Sequence, residues 1–373
     1  MTGKRLICSI TLAIFILQLH IPNEVCSQDQ TNKYPSVKKE IVLQLLPTPD
    51  NRRNSEGDFI TLKDGRILHV YSHFTGNTSS DHEHAFLAGR YSSDKGKTWT
   101  KDDVIVVQQE GGQNVMSVSL LRLQNDAIAL FYLRKNSNED CIPLLRLSYD
   151  EAKTWTEPIV CIKDRKGYFV LNNDRVIQLK SGRLLMPVAL HKLAGEEKWS
   201  SQGRLFCYYS DDNGQTWTSG SQVPNPNEVL TQEPGVVELK NGNILMFIRT
   251  NKGVQYASYS SDSGQQWSAV EPTNIPSPTS PALIERIPST GDLLLVWNNN
   301  GKTQQRTPFS TAISQDEGKT WQHIKTVEDD PGGNFCYPAI QFVGNRVLLG
   351  YFNFNAKEVV MKAVRMKLKH LYK

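Results

Sequence analysis

Net charge, cysteine and long apolar runs are all scarce in this 373-residue chain. Its 42 basic and 38 acidic side chains are interspersed and leave a formal net charge of only +4. Without a basic block or an acidic tail, the sequence shows no footprint for nucleic acid or for a charged membrane surface. Six cysteines in a chain of this length cannot form a disulfide framework. The one long apolar run is Leu6 to Leu19, preceded by Lys4 and Arg5 and followed by polar residues near Cys26, Ser27 and Gln28. It is shorter than the roughly 20 residues a membrane-spanning helix needs, so residues 1–28 are expected to be a cleaved signal peptide, with no stable membrane insertion. Cys26 is a poor lipidation site, because Glu24 and Val25 precede it where small residues belong. The mature chain, 29–373, is expected to be a single domain, secreted or periplasmic. It keeps Cys141, Cys161, Cys207 and Cys336, an even number compatible with one or two disulfides of unassigned pairing.

What the chain has is repetition. Gly, Asn, Asp and Ser recur every few residues and imply short elements joined by turns. A box of the form S-x-D-x-G-x-T-W begins at Ser92, Ser148, Ser210, Ser260 and Ser314, and holds five of the seven tryptophans. Its aspartates, Asp94, Asp150, Asp212, Asp262 and Asp316, are 56, 62, 50 and 54 residues apart, and its glycine is replaced once, by Ala152. A second repeat consists of two apolar segments around a tight polar turn, at Asp64-Gly65, Asn125-Asp126, Ser181-Gly182, Asn241-Gly242, Thr290-Gly291 and Gly344-Asn345. Such dipeptides accept positive φ and close β-hairpins. Six similar units of 50 to 60 residues predict an all-β fold, a six-bladed β-propeller with four-stranded antiparallel blades and Asp-box turns. The boxes themselves read as structural: an aspartate that accepts backbone amides closes each turn, and a tryptophan packs between sheets. Five equivalent copies cannot all reach one axial site, so function must lie where the units differ.

The differences fall at the starts of the first strands. Glu233 lies nine residues before Gly242, Tyr337 seven before Gly344 and Arg175 seven before Gly182, all polar where a core strand should begin apolar. Around them stand the segment Glu233-Pro-Gly-Val-Val-Glu238-Leu239, then Arg249 sixteen residues after Glu233, and Arg306 eight residues before the last box. Cys336-Tyr337-Pro338-Ala339-Ile340 runs into the last hairpin, and Asp81 lies in Ser79-Ser80-Asp81-His82 ahead of the first box. Together with the boxes, these segments resemble the bacterial exo-α-sialidases over nearly all of residues 50–365.

That resemblance implies a retaining hydrolase of terminal sialic acids. It assigns Tyr337 as nucleophile, Glu233 as the base that takes its proton, Asp81 as acid/base, and Arg249 and Arg306 as two of three arginines on the sugar's carboxylate. The chemistry is coherent. Three forked guanidiniums fix a carboxylate borne on the anomeric carbon, and a neutral tyrosine escapes the repulsion that a carboxylate nucleophile would meet there. The family's first arginine falls on Ser55 by spacing; Arg53, two residues upstream on the same strand face, is preferred to Arg52. A second departure is Asn172-Asn173-Asp174-Arg175, where the family has a glycine-rich approach to the third blade. Arg175 therefore adds a cation near the mouth, as Glu56, Asp58, His82 and His84 add further titratable groups. No cofactor or metal is implied: His82 and His84 lack any accompanying ligand set. The expected partners are sialylated or other acidic glycans and no nucleic acid. The alternatives are a same-fold glycosidase or lyase acting on another acidic sugar, and a non-catalytic glycan-binding propeller.

Overall fold

The computed structural model describes residues 34–355 and 359–373, so the expected signal peptide and Cys26 lie outside the described residues. Strands dominate, and the one helix among the described residues is a single turn, Lys369–Tyr372. No helix among them is long and apolar enough to cross a membrane.

Each of the six expected hairpins forms around its polar turn, the first from Arg53–Thr61 paired with Ile67–Phe74 and the last from Phe335–Val343 paired with Arg346–Phe354. The hairpins extend into antiparallel meanders. Three of these, between Arg53 and Ser219, join into one 13-stranded sheet through single parallel pairings, Ala85 with Asn114 and Cys141 with Tyr168. The strands from Thr231 to Pro276 and from Leu283 to Glu328 form two separate four-stranded sheets. In the last sheet the chain's first strand, Lys39–Leu45, adds antiparallel to Val359–Lys367 beside Phe335–Val343 and Arg346–Phe354. Residues from the two ends of the chain thereby share one sheet, and none of the sheets closes on itself.

The second strands are buried on both faces. Leu293–Asn298 is buried at every position, which requires apolar layers on either side and explains its unbroken run of Leu and Val. Layer contacts are tight: Phe131 of one meander meets Trp217 of the next edge to face, with centroids 5.8 Å apart.

The boxes form the expected closed turns. In the first, Asp94 Oδ1 accepts from the amides of Lys97 and Thr98 at 3.0 and 2.8 Å, and Asp94 Oδ2 accepts from the Thr98 hydroxyl at 2.7 Å. Ser92 Oγ donates to Asp94 and accepts from the Gly96 amide, both at 2.9 Å. The same serine bond recurs at Ala152, Gly214, Gly264 and Gly318. These donors hold Asp94 at about 2 despite the opposing effect of burial, so the carboxylate stays charged across the neutral range. Ala152 adopts the left-handed conformation of its glycine counterparts, φ 60, which accounts for the repeat tolerating the exchange at a steric cost of about 1 kcal/mol.

The disulfide expectation is corrected. Cys141, Cys161, Cys207 and Cys336 are all buried free thiols. Parity alone does not bring sulfurs together: Cys207 and Cys336 lie in core clusters apart from that of Cys141 and Cys161, and burial pushes the Cys141 and Cys207 thiols up to about 12.

Ser210 is buried, and its hydroxyl both donates to Asp212 and accepts the Gly214 amide. Ser210→Ala leaves that amide unpaired and is expected to cost about 1–3 kcal/mol in urea unfolding. An unchanged midpoint would show that the turn closes without the hydroxyl.

Candidate active site

Four first strands carry the same irregularity near their beginnings. The register slips between Ser55 and Asp58, Met116 and Ser119, Gln232 and Gly235, and Cys336 and Ala339. Within the slips, Glu56, Ser117, Glu233 and Tyr337 take φ of 52, 61, 41 and 56. A bulge of this kind removes one residue from the ladder and re-aims its side chain. Left-handed conformations cost a non-glycine residue of order 1–3 kcal/mol each, and here they turn three functional groups and a serine away from the sheet.

Those groups meet. Tyr337 Oη donates to Glu233 Oε1 at 2.8 Å, and Arg249 donates to Glu233 Oε2 at 2.6 Å. Burial would raise the Glu233 carboxyl, but Arg249, its hydrogen bond and the tyrosine hydroxyl outweigh it and hold the group below its ordinary value. Tyr337 moves the other way: burial, followed by the charge of Glu233, pushes the phenol well above its ordinary value. At neutral pH the pair is therefore a carboxylate holding a phenol's proton. The Tyr337 ring stacks on Phe352 at 5.3 Å, which fixes its plane.

Arg53 stands across the same cavity. Its guanidinium lies over Phe74 and donates to Ser55, to the Ser79 carbonyl and, at 2.5 Å, to Asp81. Glu56 Oε2 lies 3.4 Å from Arg53 Nη2. Burial opposes ionisation of Asp81, yet Arg53 and then Lys135 bring it below its ordinary value. Arg306 donates to the Thr279 carbonyl at 3.1 Å; despite burial, Cys336, Tyr337 and Glu233 raise its affinity for its proton. A cavity of about 160 Å³ is lined by Arg53, Glu56, Asp81, Arg306, Tyr337 and Phe352, among others. It adjoins a groove of about 490 Å³ that runs past Thr78 to His82 and shares Arg53, Ser79, Asp81 and Phe354 with it. The arrangement can hold an anion, pass a proton from phenol to carboxylate, and present a second carboxyl beside an open groove.

Of the residues singled out from sequence, Tyr337, Glu233, Asp81, Arg53, Arg249 and Arg306 come together, and Arg52 is exposed. Arg175 does not line the cavity. It is 2% exposed and donates to the Ala282 carbonyl at 2.7 Å, near Asp174 and Glu285, the latter pushed well above its ordinary value by burial and by Asp174. Asp174, at φ 54, holds the left-handed position instead, and its neighbour is turned into the core. His82 and His84 go to separate partners, Lys135 and Gln109 respectively, and no group of three His, Cys, Asp or Glu among the described residues could hold a metal.

Three contributors had weak or no sequence signals. Glu56 lies nine residues before Gly65, the same offset as Glu233 from Gly242, and that equivalence could have found it. Asn114 and Lys135 had none. The Asn114 amide donates to the carbonyls of Asp81 and Glu83 at 2.9 and 2.8 Å, and Lys135 donates to the Asp81 carbonyl at 3.1 Å.

Residues 74–352 match the BNR repeat-like domain family. A curated sialidase from Bacteroides fragilis is 24% identical over 342 residues, which is 83% of this chain and 61% of that protein. The chain spans about three fifths of the length of the first curated relatives it matches. Among solved structures, a protein of unknown function from Dyadobacter fermentans superposes with a TM-score of 0.70 at 19% identity, covering 89% of this chain and all of that one. The leech intramolecular trans-sialidase in complex with 2,7-anhydro-Neu5Ac gives 0.70 at 15% identity, covering 90% and 71%. The all-β architecture is thus the propeller-like one of these sialidase structures.

Asn114→Ala removes two of the bonds that tie down the segment bearing Asp81 and leaves those from Lys135 and Arg53. Backbone amides of residues 79–84 are expected to exchange about tenfold faster or more with deuterium, while the core strands keep their protection. Unchanged exchange in that segment would contradict the positioning role of Asn114.

Proposed function

Because this chain belongs to the bacterial sialidases with BNR repeats, we propose that it is a retaining exo-α-sialidase acting on sialylated glycans, with Tyr337 as its nucleophile. The observation that carries the reading is the chain of contacts Tyr337–Glu233–Arg249, whose tyrosine lines a cavity together with Arg53 and Arg306. A glycoside hydrolase needs two groups at the anomeric carbon, one to attack and one to protonate the leaving oxygen. Here Arg53, Arg249 and Arg306 bind the sugar's carboxylate, and Tyr337 attacks as its proton passes to Glu233. The phenol's raised proton affinity means that phenolate forms only during attack, when Glu233 is already in place to accept.

Asp81 protonates the leaving oxygen and then activates water. In the free site it is ionised and paired with Arg53, the wrong state for an acid. A substrate carboxylate arriving on Arg53 takes over that pairing, and Asp81, released beside the open groove, gains the proton affinity that an acid needs. The adjoining groove gives the leaving sugar a path past Asp81.

The reading extends to architecture and location. Six hairpin-based units, with strands from both chain ends in the last sheet, support a six-bladed propeller spanning 29–373, and the leader supports secretion. A second reading, another acidic sugar as substrate, is favoured by the Glu56 carboxyl that lines the cavity; mass spectrometry of sugars released from mixed glycans separates the two, since free sialic acid supports the first.

Wild-type protein is expected to cleave a fluorogenic sialoside and to release the α-anomer first in proton NMR. Tyr337→Phe and Glu233→Gln should each lose about 10²–10⁴-fold in kcat/KM. Full activity in Tyr337→Phe would rule out the assigned nucleophile. Asp81→Asn should lose a comparable factor on natural glycans and far less on substrates whose leaving group needs no proton.

A further inference from the structure

Glu56 has no part in the steps above, yet its side chain lines the cavity on a left-handed bulge at the offset that places Glu233. Its neighbour Arg53 has little freedom. Arg53 Nε is taken by Ser55 and Nη1 by Ser79 and Asp81, so Nη2 is the edge that faces Glu56, 3.4 Å away. Ser117 Oγ, on the bulge of the neighbouring hairpin, approaches the same Glu56 oxygen at 3.4 Å. An acidic ligand that reaches for Arg53 must use the edge that Glu56 already holds.

Resting on the reading of this cavity as an acidic-sugar site, we propose that Glu56 is a positioning residue that competes with the substrate's carboxylate for Arg53, so that binding places a proton on Glu56. Ionised, Glu56 neutralises Arg53 and repels the incoming carboxylate. Protonated, it releases Nη2 and can donate a hydrogen bond to the bound group.

The groups around it decide the pH at which this matters. Arg53 faces it from its own strand, Asp81 from the loop, Lys135 and Tyr168 from the second and third meanders, and Glu233 and Tyr337 from the opposite bulges. Burial is the largest influence and raises Glu56; Arg53 opposes it, and the negative charges of Asp81 and Glu233 add to it, so that the carboxyl is pushed up to about 7. Affinity for a carboxylate is therefore full below about pH 7 and falls as pH rises through it, because the free site must then take up a proton in order to bind.

The test is calorimetric titration with 2-deoxy-2,3-didehydro-N-acetylneuraminic acid between pH 6 and pH 8, in buffers of different ionisation enthalpy. Wild type is expected to lose about tenfold in affinity over that range, with proton uptake rising from about 0.1 to about 0.9 per ligand. Glu56→Gln and Glu56→Ala should lose most of both effects and retain the acid-side affinity. Zero uptake by the wild type at pH 8 overturns the inference without need of any variant. A tenfold slope that persists in Glu56→Gln and disappears in Asp81→Asn assigns the proton to Asp81 and overturns it as well. Absence of binding at every pH in all these proteins overturns the acidic-sugar reading itself, and the inference with it.

Discussion

The site rests on a backbone constraint: side chains at the ends of extended strands can be aimed at a common point only by breaking the ladder. Regular strands would send residues 56, 117, 233 and 337 alternately into the layers between sheets. At each position one residue is placed in the left-handed region instead, and the pairing resumes two residues later. The strain is of order 1–3 kcal/mol per residue. It is offset by strands such as Leu293–Asn298, buried on both faces, and by box turns that satisfy their own amides. Rigid layers with strained rims are what make the short Tyr337–Glu233 contact available without a ligand to organise it.

The electrostatics follow from that geometry. Three arginines gathered around one site would repel one another, and the free protein balances two of them with its own carboxylates: Asp81 and Glu56 against Arg53, and Glu233 against Arg249. In the proposed reaction the last pairing lasts until Glu233 takes the proton of Tyr337. The others are exchanged for the substrate's carboxylate, so the anion that binds also resets the proton affinity of the acid that must act on it. Arg175 belongs to a different balance, beside the half-buried Asp174 and Glu285, and its charge serves the fold.

Sequence revealed most of the fold because repetition multiplied weak signals. One Asp-Gly turn says little, but six hairpin turns and five boxes at similar spacing leave few architectures. Glu233 and Tyr337 could be found because they interrupt an apolar strand start and Arg306 because it stands eight residues before a box, whereas Asp81, Arg249 and Arg53 were implied by the resemblance to the sialidases. Glu56 was visible only as a neighbouring charge, although it shares the offset of Glu233. Arg175 was misjudged in depth because a one-residue shift on a bulged strand exchanges the cavity for the core. Asn114 and Lys135 act on a loop some 30 to 50 residues away in sequence, through contacts with carbonyls that no side-chain pattern encodes. Cysteine parity failed because pairing is a matter of geometry, and all four cysteines are buried as free thiols.

The central claim is that a tyrosine is the nucleophile, and the most direct measurement is to trap it. A 2,3-difluorinated sialyl fluoride reacts with a nucleophile and leaves an intermediate that breaks down slowly. Peptide mass spectrometry after such labelling is expected to find the fluorinated sugar on the peptide containing Tyr337, attached through its phenolic oxygen. A label on Glu233, on Asp81 or on any other residue would contradict the account.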